Sequence, residues 1–184
     1  YAICGEKGGS SADSVEGVAL SALPTGGLVP GQPAVQLGLS SVRGVGDELA
    51  DAIVAERDAN GPFVSMEDLR RRVRTADGKS IELDTLEALA TAGAFACFDD
   101  QGGRPLDRRR ALWGAGAVAQ SRTDRLEGIV TGVEAPTLPG MARHEEAAAD
   151  LWATGISPDG HPTRFIRAEL DRRGVVPAGK LREV

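Results

Sequence analysis

The residues with the clearest chemical potential are Arg43, Gly44, Val45 and Gly46, inside the run Leu39-Ser40-Ser41-Val42-Arg43-Gly44-Val45-Gly46-Asp47-Glu48-Leu49-Ala50. Apolar residues three apart precede the Gly-x-Gly, and the small Ala50 falls four residues past the second glycine, within a helical pattern. Glycines permit a tight hairpin with positive φ and leave the backbone N–H groups unobstructed. Those N–H groups, with the N-terminal end of the following helix, form a concavity suited to a phosphate oxygen. Val45 is expected to point inward and pin the hairpin. Asp47 and Glu48 suit the positive end of a helix dipole, yet they put negative charge where the anion would sit, and Arg43 compensates in part. A Gly-x-Gly before a helix also serves as a plain turn. On these residues alone, a phosphate grip and a structural turn both stay open.

A second basic group, Arg70, Arg71, Arg72, Arg74 and Lys79, surrounds a connection between two predicted helices. Such arginines usually form a solvated helix face. Beside a phosphate hairpin they become candidates for contacts that position DNA without reading its sequence. The predicted DNA contacts are therefore Arg43, Gly44, Val45, Gly46, Arg70, Arg71, Arg74 and Lys79. Asp99-Asp100, between Phe98 and Gln101-Gly102-Gly103, reads as a loop. His144, His161, Cys4 and Cys97 lack the spacing of a zinc site. Cys97, between Ala96 and Phe98, reads as a small core residue, and His161 before Pro162 as a residue that fixes a turn. No catalytic residue and no metal ligand is assigned.

The elements that position these groups are helical. Leu49, Ala50, Ile53 and Val54 recur at helical spacing through Asp47–Arg57, and Gly61-Pro62 stops the pattern. Ser65 starts a helix with Met66, Leu69 and Val73 on one face. After a loop at Thr75–Ser80, Asp84 and Glu87 form a capping pair ahead of Leu86, Leu89 and Ala90, and Gly93 is a left-handed stop. Asp107 opens a helix carrying Leu112, Trp113 and Ala117. Thr123–Gly140 is a breaker-rich linker. A helix over Ala142–Ala153 sets Ala148, Leu151 and Trp152 on one side, and a last one after Pro162 turns Phe165, Ile166 and Leu170 inward and ends at Gly174. The expected fold class is mostly α, with about six helices. An irregular lead-in over residues 1–34 holds at most a short strand, and Val175-Val176-Pro177 reads as the run into another.

Composition narrows the function. The chain has 184 residues, room for one ordinary domain or two small ones, with 41% hydrophobic residues. Aromatic residues are few (two Trp, one Tyr, four Phe), so Ala, Leu, Val and Ile must build the core. No apolar run approaches the roughly 18 residues of a membrane span, which excludes a transmembrane protein. Two cysteines are too few for a disulfide scaffold and fit a reducing cytoplasm. A net charge of −6 excludes a wholesale basic binder of the histone type and leaves room for a local phosphate site. Residues 1–20 show no signal-peptide pattern. With Tyr1 first, the chain reads as a piece of something longer.

The hairpin run resembles the helix-hairpin-helix motif, a binder of the DNA backbone whose members often add a monovalent cation bridging hairpin carbonyls to phosphate. The segments on either side of Thr75–Ser80 resemble a second such unit without Gly-x-Gly. Taken with Leu37-Gly38-Leu39, Gly61-Pro62-Phe63, Met66-Glu67-Asp68-Leu69 and Leu86-Glu87-Ala88-Leu89-Ala90-Thr91-Ala92-Gly93-Ala94-Phe95, the pattern resembles the C-terminal region of bacterial C-family DNA polymerases, the DnaE-like, DNA polymerase III alpha type. Ala149-Asp150-Leu151-Trp152-Ala153-Thr154-Gly155-Ile156-Ser157-Pro158-Asp159-Gly160-His161-Pro162 is similar to the family's segment leading into an OB domain, in its error-prone branch.

The resemblance covers about residues 35–184 and implies an organisation. A tandem helix-hairpin-helix domain occupies 35–98, a helical extension 99–122, a linker 123–140, and a helical segment 141–184 precedes an OB domain that is absent. It implies damage-induced (translesion) synthesis by a parent polymerase whose Mg²⁺-binding aspartates lie upstream, so that Mg²⁺ is not bound here. A monovalent cation would sit at the Gly44–Gly46 hairpin. The implied partners are duplex DNA backbone, the rest of the polymerase chain and accessory mutagenesis proteins, in the cytoplasm and away from membranes. Gln120-Ser121-Arg122-Thr123-Asp124-Arg125-Leu126-Glu127-Gly128 lacks the aromatic residue of a clamp-binding peptide, which argues against direct sliding-clamp binding. A helix-hairpin-helix module of another DNA repair enzyme and a structural helical docking domain are the alternatives.

Overall fold

The computed structural model describes Ile3 and residues 37–99, 103–120, 135–158 and 160–181. The lead-in other than Ile3, the end of the helical extension at 121–122 and residues 123–134 of the linker lie outside the described residues. Among the described residues six α-helices follow one another: α1 Asp47–Asn60, α2 Met66–Arg72, α3 Leu83–Thr91, α4 Arg108–Val118, α5 Arg143–Thr154 and α6 Arg167–Arg172. Single 3₁₀ turns at Leu39–Ser41, Pro162–Ile166 and Ala178–Lys180 complete them. Among the described residues the only β pairing is an isolated bridge between Asp99 and Pro105. The molecule is mostly α, as expected.

Local chemistry explains most helix ends. The Ser65 hydroxyl accepts the Asp68 N–H at 3.1 Å, and the Asp68 carboxylate accepts the Val64 N–H at 3.1 Å, so two donors at the start of α2 are satisfied. Asp107 caps α4 by accepting the Arg110 N–H at 3.0 Å. At the end of α3, Gly93 takes φ 76° while Ala94 N–H reaches the Leu89 carbonyl and Gly93 N–H the Ala90 carbonyl. That paired return requires a left-handed residue at Gly93. Gly174 ends α6 in the same way, with Val175 N–H on the Leu170 carbonyl. Val175 and Val176 are thus the tail of a helix stop, exposed and followed by a 3₁₀ turn, and not the start of a strand. The start of α3 also differs from expectation. Glu82 is its N-cap without a side-chain cap bond, so Asp84 lies inside the first turn, where its charge favours the helix dipole.

One apolar core runs from the first 3₁₀ turn to α4. Ile53, Phe63, Met66, Leu69, Val73, Ile81, Leu86, Leu89, Phe95 and Val118 are all buried, joined by Ile3. Phe95 and Phe98 stack with ring centroids 5.8 Å apart. The α3–α4 pair is the most extensive helix packing, helped by the small Ala111, Gly114 and Ala115 on the buried face of α4. Trp113 therefore points away, half exposed. Cys97 is exposed and disulfide-bonded, which corrects two expectations: it is not a core residue, because the turn after α3 buries Phe95 and Phe98 and turns Cys97 outward, and it is not the reduced thiol expected of a reducing compartment.

Helix α5 docks through an unexpected face. Ala147, Asp150 and Ala153 are buried, while Ala148 is exposed and Leu151 and Trp152 are 39% and 48% exposed. Small residues allow close approach, and Asp150 meets Arg108 of α4 at 2.7 Å. Arg109 pairs with Glu145 at 2.8 Å, and Glu145 also accepts the Ala142 N–H at 2.8 Å, starting α5. Gly93 clears the route: a Cβ there would come within 3.0 Å of the Arg108 Nε. Farther on, His161 fixes its turn by accepting the Thr163 N–H. Phe165 and Ile166 are exposed and Leu170 only partly covered, because α6 packs on the Pro162–Ile166 turn and that turn on α5.

Candidate nucleic-acid interface

The hairpin is a turn at Val42-Arg43-Gly44-Val45, closed by the Val45 N–H on the Val42 carbonyl at 2.9 Å. Gly44, third in the turn, has φ 76°, the region a type II turn demands there. Val42 and Val45 are buried and anchor both sides. Ahead of the turn stands only the 3₁₀ turn Leu39–Ser41, so the leading helix of the unit is reduced to a single turn among the described residues. The two glycines differ. Gly46 has φ −74° and ψ 170° and serves as N-cap of α1, so only Gly44 needs left-handed backbone. Ala50 N–H returns to the Gly46 carbonyl at 3.0 Å. The N–H groups of Asp47, Glu48 and Leu49 therefore have no acceptor within α1 and form its partly positive end.

Two later segments close around the hairpin. The Thr85 hydroxyl of α3 donates to the Gly44 carbonyl at 3.4 Å, and Glu48 accepts the Ala76 N–H at 3.2 Å. The connection between α2 and α3 thus packs beside the start of α1, and the two helical units stack as one body. From the other side comes α5. Its Ala153 carbonyl accepts the Arg43 N–H at 2.7 Å, and the Trp152 ring lies 5.0 Å from the Arg43 guanidinium. A shallow groove results between Ser40–Gly46 and Leu151–Gly155.

Of the predicted basic contacts, Arg43 is the one whose side chain makes no hydrogen bond or ion pair among the described residues, and it is exposed. The others are engaged. Arg70 donates to the Ile81 carbonyl at 3.2 Å, and burial, then the nearby Arg74 charge, lowers its pKa. Arg71 pairs with Glu67 at 3.5 Å. Arg74 donates to the Arg70 and Val73 carbonyls at 2.7 and 2.8 Å. Lys79 is exposed and pairs with Asp77 at 2.5 Å, which raises its pKa; Glu82 and Glu48 reinforce the shift. Lys79 hence lies beside the start of α1. Arg72 belongs to the opposite end. It binds Glu56, Asp68 and the Gly61 carbonyl and covers the Phe63 ring at 4.5 Å. A 14-residue helix separates Gly61 from Gly46, roughly 20 Å.

Sequence reasoning missed Trp152 and Thr85, which are distant in the chain from the hairpin they touch. Only the exposure of a large aromatic could have marked Trp152, and exposure is not visible in a sequence. Among the described residues no group of three or more His, Cys, Asp or Glu could hold a metal ion. No described helix is long and apolar enough to cross a membrane.

A family model described as helix-hairpin-helix motif matches residues 13–105, about half of the chain. Over 150 residues, 82% of this chain, the sequence is 52% identical to proteins named error-prone DNA polymerase from Mycolicibacterium paratuberculosis and Mycobacterium tuberculosis. A protein of the same name from Nocardia farcinica is 50% identical over 152 residues. The chain spans 13% of the length of these relatives, so the likeness is to one segment of them. A turn built on Gly44, two stacked helical units and the extent of the match agree: the chain belongs to the helix-hairpin-helix motif family.

Proposed function

We propose that this chain is a DNA-backbone-binding segment of an error-prone DNA polymerase used in damage-induced (translesion) synthesis. It grips the sugar-phosphate of duplex DNA without reading sequence. One observation carries the reading: at the hairpin, the open N-terminal end of α1 stands with an exposed Arg43 that pairs with no carboxylate among the described residues. Backbone N–H groups and one guanidinium suffice to hold a phosphate oxygen and are indifferent to the bases. Nucleotidyl transfer belongs on this reading to carboxylates outside the chain, where Mg²⁺ supplies the Lewis acid. The partners are the duplex backbone, the rest of the polymerase chain and accessory mutagenesis proteins, with no direct hold on the sliding clamp, all in the cytoplasm. The Gly44 carbonyl, which takes one long hydroxyl bond, keeps a lone pair for a monovalent cation. Replacing K⁺ by tetramethylammonium at equal ionic strength would then weaken binding.

The test is titration of random-sequence duplexes at two salt concentrations. Expected is a dissociation constant of roughly 10⁻⁴–10⁻⁶ M near physiological salt, weakening as salt rises. Sequence-selective binding, or salt-independent binding, would overturn the reading. A helical docking role is favoured separately by the exposed Ile156, Phe165 and Ile166 of the last described segment. Under that role alone, no salt-dependent DNA affinity is measured.

A further inference from the structure

Arg43 is held by α5 in two ways at once. Its N–H donates to the Ala153 carbonyl at 2.7 Å, and its guanidinium lies 5.0 Å from the centre of the Trp152 ring. Adjacent residues of one helix therefore fix where the Arg43 backbone stands and where its side chain lies. The core does not need Trp152: α5 packs through Ala147, Asp150 and Ala153, and the indole is 48% exposed. A large aromatic face set against an exposed cation attracts it through the ring quadrupole. Left alone, an arginine at this place samples many rotamers, with the carboxylates of Asp47 and Glu48 close in the chain to draw it away. A ring that holds the guanidinium removes that freedom before a ligand arrives, and pre-ordering strengthens binding.

We propose that Trp152 is a positioning residue for phosphate binding: it holds Arg43 at the mouth of the hairpin, so that a helix more than a hundred residues downstream completes the DNA site. The inference rests on the DNA-backbone reading above. It assigns Trp152 no contact with DNA of its own.

The experiment uses the whole 184-residue chain and fluorescently labelled random duplex DNA, with Trp152→Ala, Trp152→Phe, Arg43→Ala and the Arg43→Ala/Trp152→Ala double variant. Trp152→Ala is expected to weaken binding about two- to five-fold, the range of an exposed cation–π contact, with Trp152→Phe recovering most of it. Arg43→Ala lowers the salt slope by about one. In the Arg43→Ala background, Trp152→Ala then changes nothing further. A folding-independent signature accompanies this: the ring-current shift of the Arg43 side-chain protons is lost in Trp152→Ala and kept in Trp152→Phe. An equal loss from Trp152→Ala with and without Arg43 would overturn the inference and leave DNA binding at the hairpin standing. So would a silent Trp152→Ala beside a damaging Arg43→Ala. Should Arg43→Ala leave affinity and slope untouched, the reading of the hairpin itself fails, and the inference with it.

Discussion

Gly44 and Gly46 are two residues apart in one hairpin yet occupy different backbone regions, which separates their contributions. Gly44 sits at φ 76°, where an L side chain is strained, so Gly44→Ala should lower stability by more than about 1 kcal/mol. Gly46 sits at φ −74° with nothing within 4 Å of an added Cβ. Gly46→Ala should therefore unfold within a few degrees of the parent, while its methyl group narrows the approach to the α1 N–H groups and lowers DNA affinity. Thermal melts and DNA titrations on both variants check the pair; an equal loss of stability would refute it. Asp77 offers a prediction in pH. Hydrogen bonds from Lys79 and then Thr75 hold its carboxyl at about 2, below its ordinary value. A depressed carboxyl stabilises the folded form above its unfolded pKa, and that contribution is lost as pH falls toward about 2. The amide signal of Lys79, whose N–H the Asp77 carboxylate accepts, should shift across that acid window, and in Asp77→Asn it should not.

At the scale of elements, α1 and α2 are joined by Arg72, whose side chain meets Glu56, Asp68, the Gly61 carbonyl and the Phe63 ring. Arg72→Ala removes one donor from each of two carboxylates and from the Gly61 carbonyl, and should cost about 2 kcal/mol. Because Arg72 lies at the far end of α1 from the hairpin, DNA affinity of the folded variant should stay unchanged; a loss of affinity would make it a contact. Helix ends such as Ser65, Asp107, Gly93 and Gly174 were legible in the sequence, because a cap or a left-handed stop depends on one residue and its near neighbours. The hairpin was legible for the same reason, apart from the backbone of Gly46. Helix faces were less so. Periodicity shows that α5 has an apolar side but not which side meets a neighbour, and Ala147, Asp150 and Ala153 won over Leu151 and Trp152 because they fit closely and pair with Arg108. The arginines Arg70–Arg74 read as a basic surface; their partners, such as Glu56 and the Ile81 carbonyl, come from folding and not from local pattern.

On the scale of the whole molecule, a chain of net charge −6 would, on the proposed reading, meet DNA through a small patch. Arg43 and the N-terminal end of α1, with Lys79 alongside, amount to about two phosphate contacts, so the slope of log K against log salt should be near −2. A slope steeper than about −4 would require basic contacts beyond these. The Arg43 N–H bond to Ala153 has a different consequence. It joins positions about 110 residues apart in the chain, bringing α5 back to the hairpin. The α1–α4 body rests on shorter-range contacts, so α5 should be the part that leaves first. The backbone amide of Arg43 is thus a built-in clock for that departure. In hydrogen exchange it should lose protection with α5, while the Leu69 and Leu89 amides keep theirs. Asp150→Ala, which removes the ion pair to Arg108, should speed exchange at Arg43 and leave those two unmoved, so that one proton in the hairpin reports whether the distant helix is seated.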